Sequence, residues 1–282
     1  MIRVKLIRRI IELAIWSAYI KGEQPVSVLL TAPVEAGKTE ILMLFSENQG
    51  VVLLTDATAF GIIRDYGDVI TNKQVRHLIF PDLIKPLSRG KETVHGFIAF
   101  LNSIVEEGLL RVSTYATTVA PPEQSSDIGT PPKPVKCGII AALAKEVLKD
   151  GRHQWSQMGF MSRMIPVSYR YATDTQIIIR RSISKRKYIA DKKVELQLPD
   201  NDIEVTLERK QAKELEALAA DLVAIFKTSV NAERIYGFRL QKQLQRLAMA
   251  NALRKGRDTV TNKDVELIYK LSNIINLDYY PL

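Results

Sequence analysis

The sequence predicts an α/β protein: a parallel sheet with helices on both faces, followed by a helical C-terminal domain. Three observations carry this. Apolar runs of strand length alternate with helical spacing over residues 1–180, a Gly-Lys-Thr turn joins the first such run to a helix, and residues 209–282 read as helical. With 282 residues, 46% of them hydrophobic, the chain can bury a large core and is expected to divide into two domains. A single cysteine, Cys137, excludes a disulfide framework and fits a reducing compartment. His77, His95 and His153 are scattered and form no metal-ligand pattern.

At the N-terminus Arg3, Lys5, Arg8 and Arg9 precede an apolar run over 10–20, which superficially resembles a signal peptide. Glu12 interrupts the run, no small-residue cleavage site follows, and the run is too short to span a bilayer. Val4, Ile7, Ile11, Ile15 and Ala18 recur at helical spacing, so an amphipathic helix packed on the sheet domain is expected, in a cytoplasmic protein without membrane contact.

Residues 26–31 form the first strand, and Ala32-Pro33-Val34-Glu35-Ala36-Gly37-Lys38-Thr39 leads into a helix over 38–47. This matches G-x-x-x-x-G-K-[ST], the P-loop or Walker A pattern, with Ala32 in place of the first glycine. Such a loop aims backbone N–H groups and a helix N-terminus at one point, so Pro33 to Thr39 and Glu40 would surround the phosphates of ATP. Lys38 would reach the β- and γ-phosphates, and the Thr39 hydroxyl would ligate Mg²⁺. The competing reading is an ordinary strand-to-helix turn that happens to contain Gly-Lys-Thr. The strand before it and the helix after it argue against that.

A second strand covers 51–55, opened by Gly50 and closed by Asp56, and a helix runs through Ile62 and Ile63. The third strand, 77–82, ends in Asp82, placed to hold the Mg²⁺ water shell at the strand's C-terminal edge. A helix cap or turn residue is the alternative for Asp82. Leu83 stands where a second acid would polarise the attacking water, so turnover is expected to be slow unless Asp56 or Glu106 orients that water. A helix over 92–107 ends at Gly108 in the C′ position. A strand over 109–117 follows, then a loop or hairpin tip over 119–136 holding five of the 12 prolines, then a strand over 135–142. A helix over 155–162 and a strand over 164–169 complete the sheet domain.

Short strand-like runs over 194–207 flank Pro199-Asp200-Asn201-Asp202, read as a hairpin turn. Helices follow over 211–226 and 238–255, and a last one through Leu271 with Thr261 as its N-cap. The net charge of +9 is uneven: Arg180, Arg181, Lys185, Arg186, Lys187, Lys192 and Lys193 are interrupted by one acid, Asp191. Such a cluster suits a phosphate backbone or, equally, a solvated helix face.

Taken together, the order of parts resembles the AAA+ ATPases, nearest to the branch of minichromosome-maintenance helicases and MoxR-type ATPases. Glu106-Glu107-Gly108 with the strand pair after it resembles the helix that runs into that branch's hairpin. Gly159-Phe160-Met161-Ser162-Arg163 resembles the helix end carrying an arginine finger. The run from Arg239 through Leu244 to Ala248 resembles the first turn and helix of the lid, with Arg239 as sensor two, and residues 256–265 resemble its closing turn. The resemblance implies ATP and Mg²⁺ as cofactors, and self-assembly into a ring or filament, hexamer-like, in which Arg163 enters a neighbour's site. It also implies a pore-facing hairpin bearing Lys133 and Lys136, and a sensor-one residue. A sensor strand over 135–142 ends in Ala144 and Lys145 rather than the Asn or Thr of the pattern, whereas one over 109–117 would supply Thr117 or Thr118.

The resulting layout is a nucleotide-binding domain over 1–180 with a hairpin-like insertion near 109–136, a basic connecting segment over 181–208, and a helical lid over 209–282. The function expected is an ATPase motor or switch acting on DNA through Lys133, Lys136, Arg180, Arg181, Lys185, Arg186 and Lys187, without base-reading elements. The alternatives are a MoxR- or chaperone-like ATPase that remodels a protein partner, and a nucleotide-dependent assembly module with weak hydrolysis.

Overall fold

The computed structural model describes residues 4–109, 133–186, 193–230, 236–276 and 280–281. Six strands form one parallel sheet: β1 (Val28–Ala32), β2 (Val51–Leu53), β3 (His77–Phe80), β4 (Gly138–Ala144), β5 (Ile165–Arg170) and the two-residue β6 (Tyr280–Pro281). Their order across the sheet is β2-β3-β4-β1-β5-β6. β1 is central, paired in parallel with β4 from Val28↔Ile140 to Ala32↔Ala144 and with β5 from Val28↔Ile165 to Thr31↔Ser168. Every residue of β1 is buried, as expected of a strand covered on both faces.

The pleat divides the core in two. Val28, Leu30, Ile79, Ile140, Ala142 and Val167 face one apolar cluster, while Leu29, Leu78, Phe80, Ile139, Ala141 and Leu143 face another. The second face is covered by α3 (Ala59–Thr71), α5 (Lys91–Glu106) and α6 (Lys145–Gln157). The first is covered by α1 (Lys5–Ser17), α2 (Lys38–Met43) and three C-terminal helices, α8 (Arg209–Val230), α9 (Phe238–Arg254) and α10 (Asn262–Ser272). The two short elements α4 (Ile84–Leu87) and α7 (Thr173–Ser184) complete the helices described.

The predicted N-terminal helix is present, with Ile7, Ile10, Ile11, Ala14 and Ile15 buried. It packs along α9, and Glu12 pairs with Arg9 at 3.1 Å and Arg254 at 3.5 Å. The C-terminal helices therefore share one apolar cluster with α1 and the sheet. Thr261 begins α10 through a capping box with Asp264. Asp264 is fully buried; burial alone would raise its carboxyl, but Arg257, Thr261 and Asn251 donate to it and hold it below the usual carboxylate range.

Local signals and tertiary packing diverge in three places. β4 runs over Gly138–Ala144 rather than 135–142, because Val135 instead makes an antiparallel bridge to Leu109. The next helix starts at Lys145 rather than 155 and passes through Gly151, where the Trp155 ring fills the space a Cβ would take. The expected hairpin over 194–207 does not form. That segment is a strap tied to other elements: Val194 N–H donates to Leu44 O, Ile203 bridges Ile20, and Thr206 bridges Thr259. Around its former turn, Asp202 accepts from Lys73 at 2.5 Å and Arg76 at 2.6 Å, and the Arg76 guanidinium lies over the Tyr19 ring.

His77 is a fully buried core histidine at the start of β3. Its ring occupies the space that a side chain at Gly138 would need, and Nε2 lies 3.2 Å from the Val26 carbonyl, which makes Nε2 the protonated nitrogen. Burial pushes the imidazolium pKa down from 6.5 to about 4. Between those values the unfolded chain binds a proton that the folded chain does not, so stability is full above pH 6.5 and falls as pH drops toward 4. The loss expected from this group is about 2 kcal/mol between pH 7 and pH 5. Urea unfolding at the two pH values measures it, and His77→Gln is expected to flatten the dependence while lowering stability at pH 7.

Candidate functional site

The C-terminal edges of β1, β3 and β4 meet at one place. β1 leads into α2 on one face of the sheet and its neighbour β4 leads into α6 on the other, so the connections part to opposite faces between these neighbours, which is where a parallel sheet opens a crevice. The loop 33–37 lies at that crevice. Glu35 (φ 63°) and Gly37 (φ 76°) are both left-handed, which turns the loop sharply between β1 and α2. The amides of Gly37, Lys38, Thr39 and Glu40 have no backbone acceptor among the described residues, the condition in which a loop and helix start can receive an anion.

Two tyrosines brace the loop from β5 and the residue after it. Tyr169 Oη donates to Ala36 O at 2.7 Å and Tyr171 Oη to the same oxygen at 2.9 Å, with their rings edge-on at 5.9 Å. Burial pushes both phenols upward, so they remain donors. Lys38 Nζ donates to Ala32 O at 2.9 Å and Pro33 O at 2.8 Å, folded back on its own loop. Burial lowers its pKa, opposed by the carboxylates of Asp82, Glu146 and Glu40. Thr39 Oγ1 donates to Pro81 O at 3.4 Å, which brings its hydroxyl to the residue before Asp82. Val34 is exposed, Glu40 lies on the first turn of α2, and Ala36 is buried beneath the tyrosines.

Asp82 lies two residues past the end of β3, exposed, and its Oδ1 accepts from Ile84 N at 2.9 Å. It therefore turns the chain into α4, whose N-cap residue is Leu83, and it also faces Lys38 electrostatically. Leu83 donates its N–H to Ala142 O at 2.9 Å, and its side chain is fully buried in the cluster of Leu29, Phe80, Ile98 and Leu143. The missing second acid thus has a packing cause: this side chain belongs to the core. Neither acid offered from sequence replaces it. Asp56 follows the edge strand β2, three strand spacings (about 14 Å) from β1, and pairs with Arg89 at 2.8 Å. Glu106 ends α5 at the other edge of the sheet, paired with Arg239 at 3.2 Å.

That second edge holds the arginines. Arg163 lies in a short 3₁₀ turn (Met161–Arg163) just before β5, with Nη1 donating to Gly159 O at 2.8 Å. Arg239, in the first turn of α9, donates to Ser162 Oγ at 3.2 Å and to both Glu106 oxygens. Burial and the Arg239 charge lower the Arg163 pKa, opposed by Glu106 and Glu107. The length of β5 separates this pair from the loop 33–37, about 20 Å for six residues. Arg239 is thus not beside the loop of its own chain; it accompanies Arg163.

The predicted polyanion contacts do not form one cluster. Lys133 and Lys136 lie beside the Leu109–Val135 bridge, and the Lys136 charge acts on Glu106. Arg180, Arg181, Lys185 and Arg186 are exposed on and just after α7. Lys187 lies outside the described residues, as do Thr117 and Thr118. The residues that sequence reasoning missed are Tyr169, Tyr171 and Glu146. Their signal was the position of each at or just beyond a strand end, readable only once the strand ends are known.

The sequence matches no family model and no curated protein. In structure the chain is similar to a full-length MCM homolog from Methanopyrus kandleri, with a TM-score of 0.53 and 13% sequence identity over 98% of this chain. The match spans 56% of that longer protein. Among the described residues no helix is long and apolar enough to cross a membrane, and no group of three or more His, Cys, Asp or Glu is placed to hold a metal ion. The packing of Leu83 yields a test. Leu83→Glu buries a carboxylate among aliphatic side chains and is expected to cost about 3 kcal/mol or more of stability. Thermal unfolding measures this, and a variant as stable as the parent would show that the position is not core.

Proposed function

We propose that this chain is an AAA+ ATPase that binds ATP with the loop 33–39, assembles through a shared site, and works on DNA without base specificity. The observation that carries it is the placement of Lys38 and Thr39 on a doubly left-handed loop at the crevice, with Asp82 facing Lys38. Phosphates entering here would draw the Lys38 ammonium off the Ala32 and Pro33 carbonyls and onto the β- and γ-oxygens, a charge-assisted exchange. The free amides over residues 37–40 would take up the remaining phosphate oxygens.

The donors facing one another at the crevice are hard oxygens, which fits Mg²⁺ bound mainly through phosphates and water. The Thr39 hydroxyl and Asp82 carboxylate would hold the ion, which supplies charge neutralisation on the transferred phosphoryl group. Asp82 can serve this role with one oxygen while the other stays on the Ile84 amide.

Arg163 and Arg239 lie about a strand length away from their own loop, so any contact with the γ-phosphate is made in a neighbouring subunit. Glu106 neutralises and orients the pair until a phosphate competes for it. A ring or filament closed by heterologous contacts is the arrangement that brings this edge of one subunit to the crevice of the next. The DNA reading rests on the exposed cations on and just after α7 and on Lys133 and Lys136 beside the Leu109–Val135 bridge. Remodelling of a protein partner is the competing reading, favoured by Ile177, Ile178 and Ile183, exposed on that same helix.

Two experiments test these statements. Lys38→Ala is expected to abolish ATP binding with the fold intact, and Arg163→Ala to bind ATP yet fail to hydrolyse it. Mixing the two proteins is expected to restore partial turnover, because each supplies a sound half of a shared site. No restoration, with a monomer in sedimentation under ATP and Mg²⁺, would defeat the assembly. For DNA, affinity is expected to fall by about 0.7 to 0.9 log units per log unit of salt for each phosphate neutralised, irrespective of sequence. Replacing Arg180, Arg181, Lys185 and Arg186 with Ala should flatten that slope and leave ATP affinity constant. Absence of DNA binding at low salt with ATP present would favour the protein-remodelling reading.

A further inference from the structure

We propose that Glu146 is the catalytic base for ATP hydrolysis, doing from the end of β4 what a carboxylate at position 83 cannot do. The inference rests on the ATP-binding reading above. Its physical basis is the order of strands. β4 lies between β3 and β1, so the chain leaving β4 emerges between Asp82, which follows β3, and Lys38, which follows β1. The register fixes this further: Ala144, the last residue of β4, pairs with Ala32, whose carbonyl accepts from Lys38 Nζ. On the other side, the Leu83 amide donates to Ala142 of the same strand.

Glu146 is the second residue after Ala144, in the first turn of α6. Its side chain is exposed, and no hydrogen bond or ion pair among the described residues holds its carboxylate. The electrostatics at Lys38 agree with this placement: after Asp82, Glu146 is the strongest of the carboxylates acting on its ammonium. Glu40 approaches from the opposite flank. Its Oε2 and the Tyr171 hydroxyl would both contact a side chain at Gly37, which puts it on the β5 side of the loop. Asp56 is committed to Arg89, and Glu106 lies at the far edge.

In the step assigned to it, Glu146 accepts a proton from water while the water oxygen forms a bond to the γ-phosphorus. The bond from that phosphorus to the β,γ-bridging oxygen breaks, and its electron pair stays on ADP. Inorganic phosphate leaves, and the proton passes from Glu146 to solvent. The base works on a terminal phosphate held by Lys38, so its effect falls on hydrolysis and not on binding.

Full-length wild type, Glu146→Gln, Glu146→Asp, Asp150→Asn and Lys38→Ala, each given ATP and Mg²⁺, provide the test. The readouts are equilibrium ATP affinity, the identity of the nucleotide retained after incubation, and phosphate release. Glu146→Gln is expected to bind ATP within about threefold of wild type and to retain ATP where wild type retains ADP. Its phosphate release should fall about 100-fold or more, the usual worth of a positioned base. Glu146→Asp should keep measurable turnover, and Asp150→Asn, one turn along the same exposed surface, should match wild type. Wild-type turnover in Glu146→Gln, alongside lost ATP binding in Lys38→Ala, overturns the role of Glu146 and leaves the loop reading standing. Loss of ATP binding in Glu146→Gln overturns it equally, and a wild type that binds no ATP overturns both.

Discussion

The register of β1 between β4 and β5 is the constraint on which the rest of the molecule depends. All five residues of β1 are buried and pair with β4, and the four from Val28 to Thr31 also pair with β5, so none of those four can move without breaking two ladders. Because all three strands are parallel, their exits share one edge of the sheet. The loop 33–37, the start of α6 and the bracing tyrosines are therefore brought together by main-chain pairing before any side chain takes part. A slip by one residue would turn Val28, Leu30 and Ala32 to the wrong apolar cluster, so the hydrophobic effect enforces the same register that assembles the crevice.

Charge is arranged along the strand axis in two unlike groups. At one edge a lysine sits on carbonyls, faced by three carboxylates; at the other, two arginines share one glutamate. The two groups cannot serve the same ligand within one chain, because the length of β5, about 20 Å, separates them. In the assembly proposed above, the two edges would meet across a subunit boundary.

The strap over 193–208 links the two ends of the molecule through backbone bonds. It begins on the C-terminal end of α2, where Lys193 donates to Met43 O and Asn48 donates to Val194 O. It passes Tyr19 and Lys21 at the end of α1 and finishes against Asp258 beside the C-terminal helices. A displacement of α2 on filling the crevice would act on these helices through this strap as well as through α1. Because α8, α9 and α10 share their apolar cluster with α1, any such motion has to slide packed surfaces and not swing about a free hinge.

What the sequence by itself determined is local. The strand-loop-helix order at 26–43, the C′ glycine at 108 (φ 85°), the Thr261 cap and the spacing of α1 all follow from side chains within a few residues of each other, and each is present in the fold. Only the tertiary structure decided the rest, because it depends on contacts between distant segments. Strand order made Glu146 a neighbour of Lys38 and sent Glu106 to Arg239; burial made Leu83 a core residue at the position where the sequence pattern would place a water-activating acid. The strap replaced a hairpin because Ile203 and Thr206 found partners on Tyr19, Lys21 and Asp258 that their own neighbours in sequence could not supply. Such pairings carry no short-range signal: an acid, an aliphatic residue or an extended run has the same local pattern whichever strand packing sets beside it.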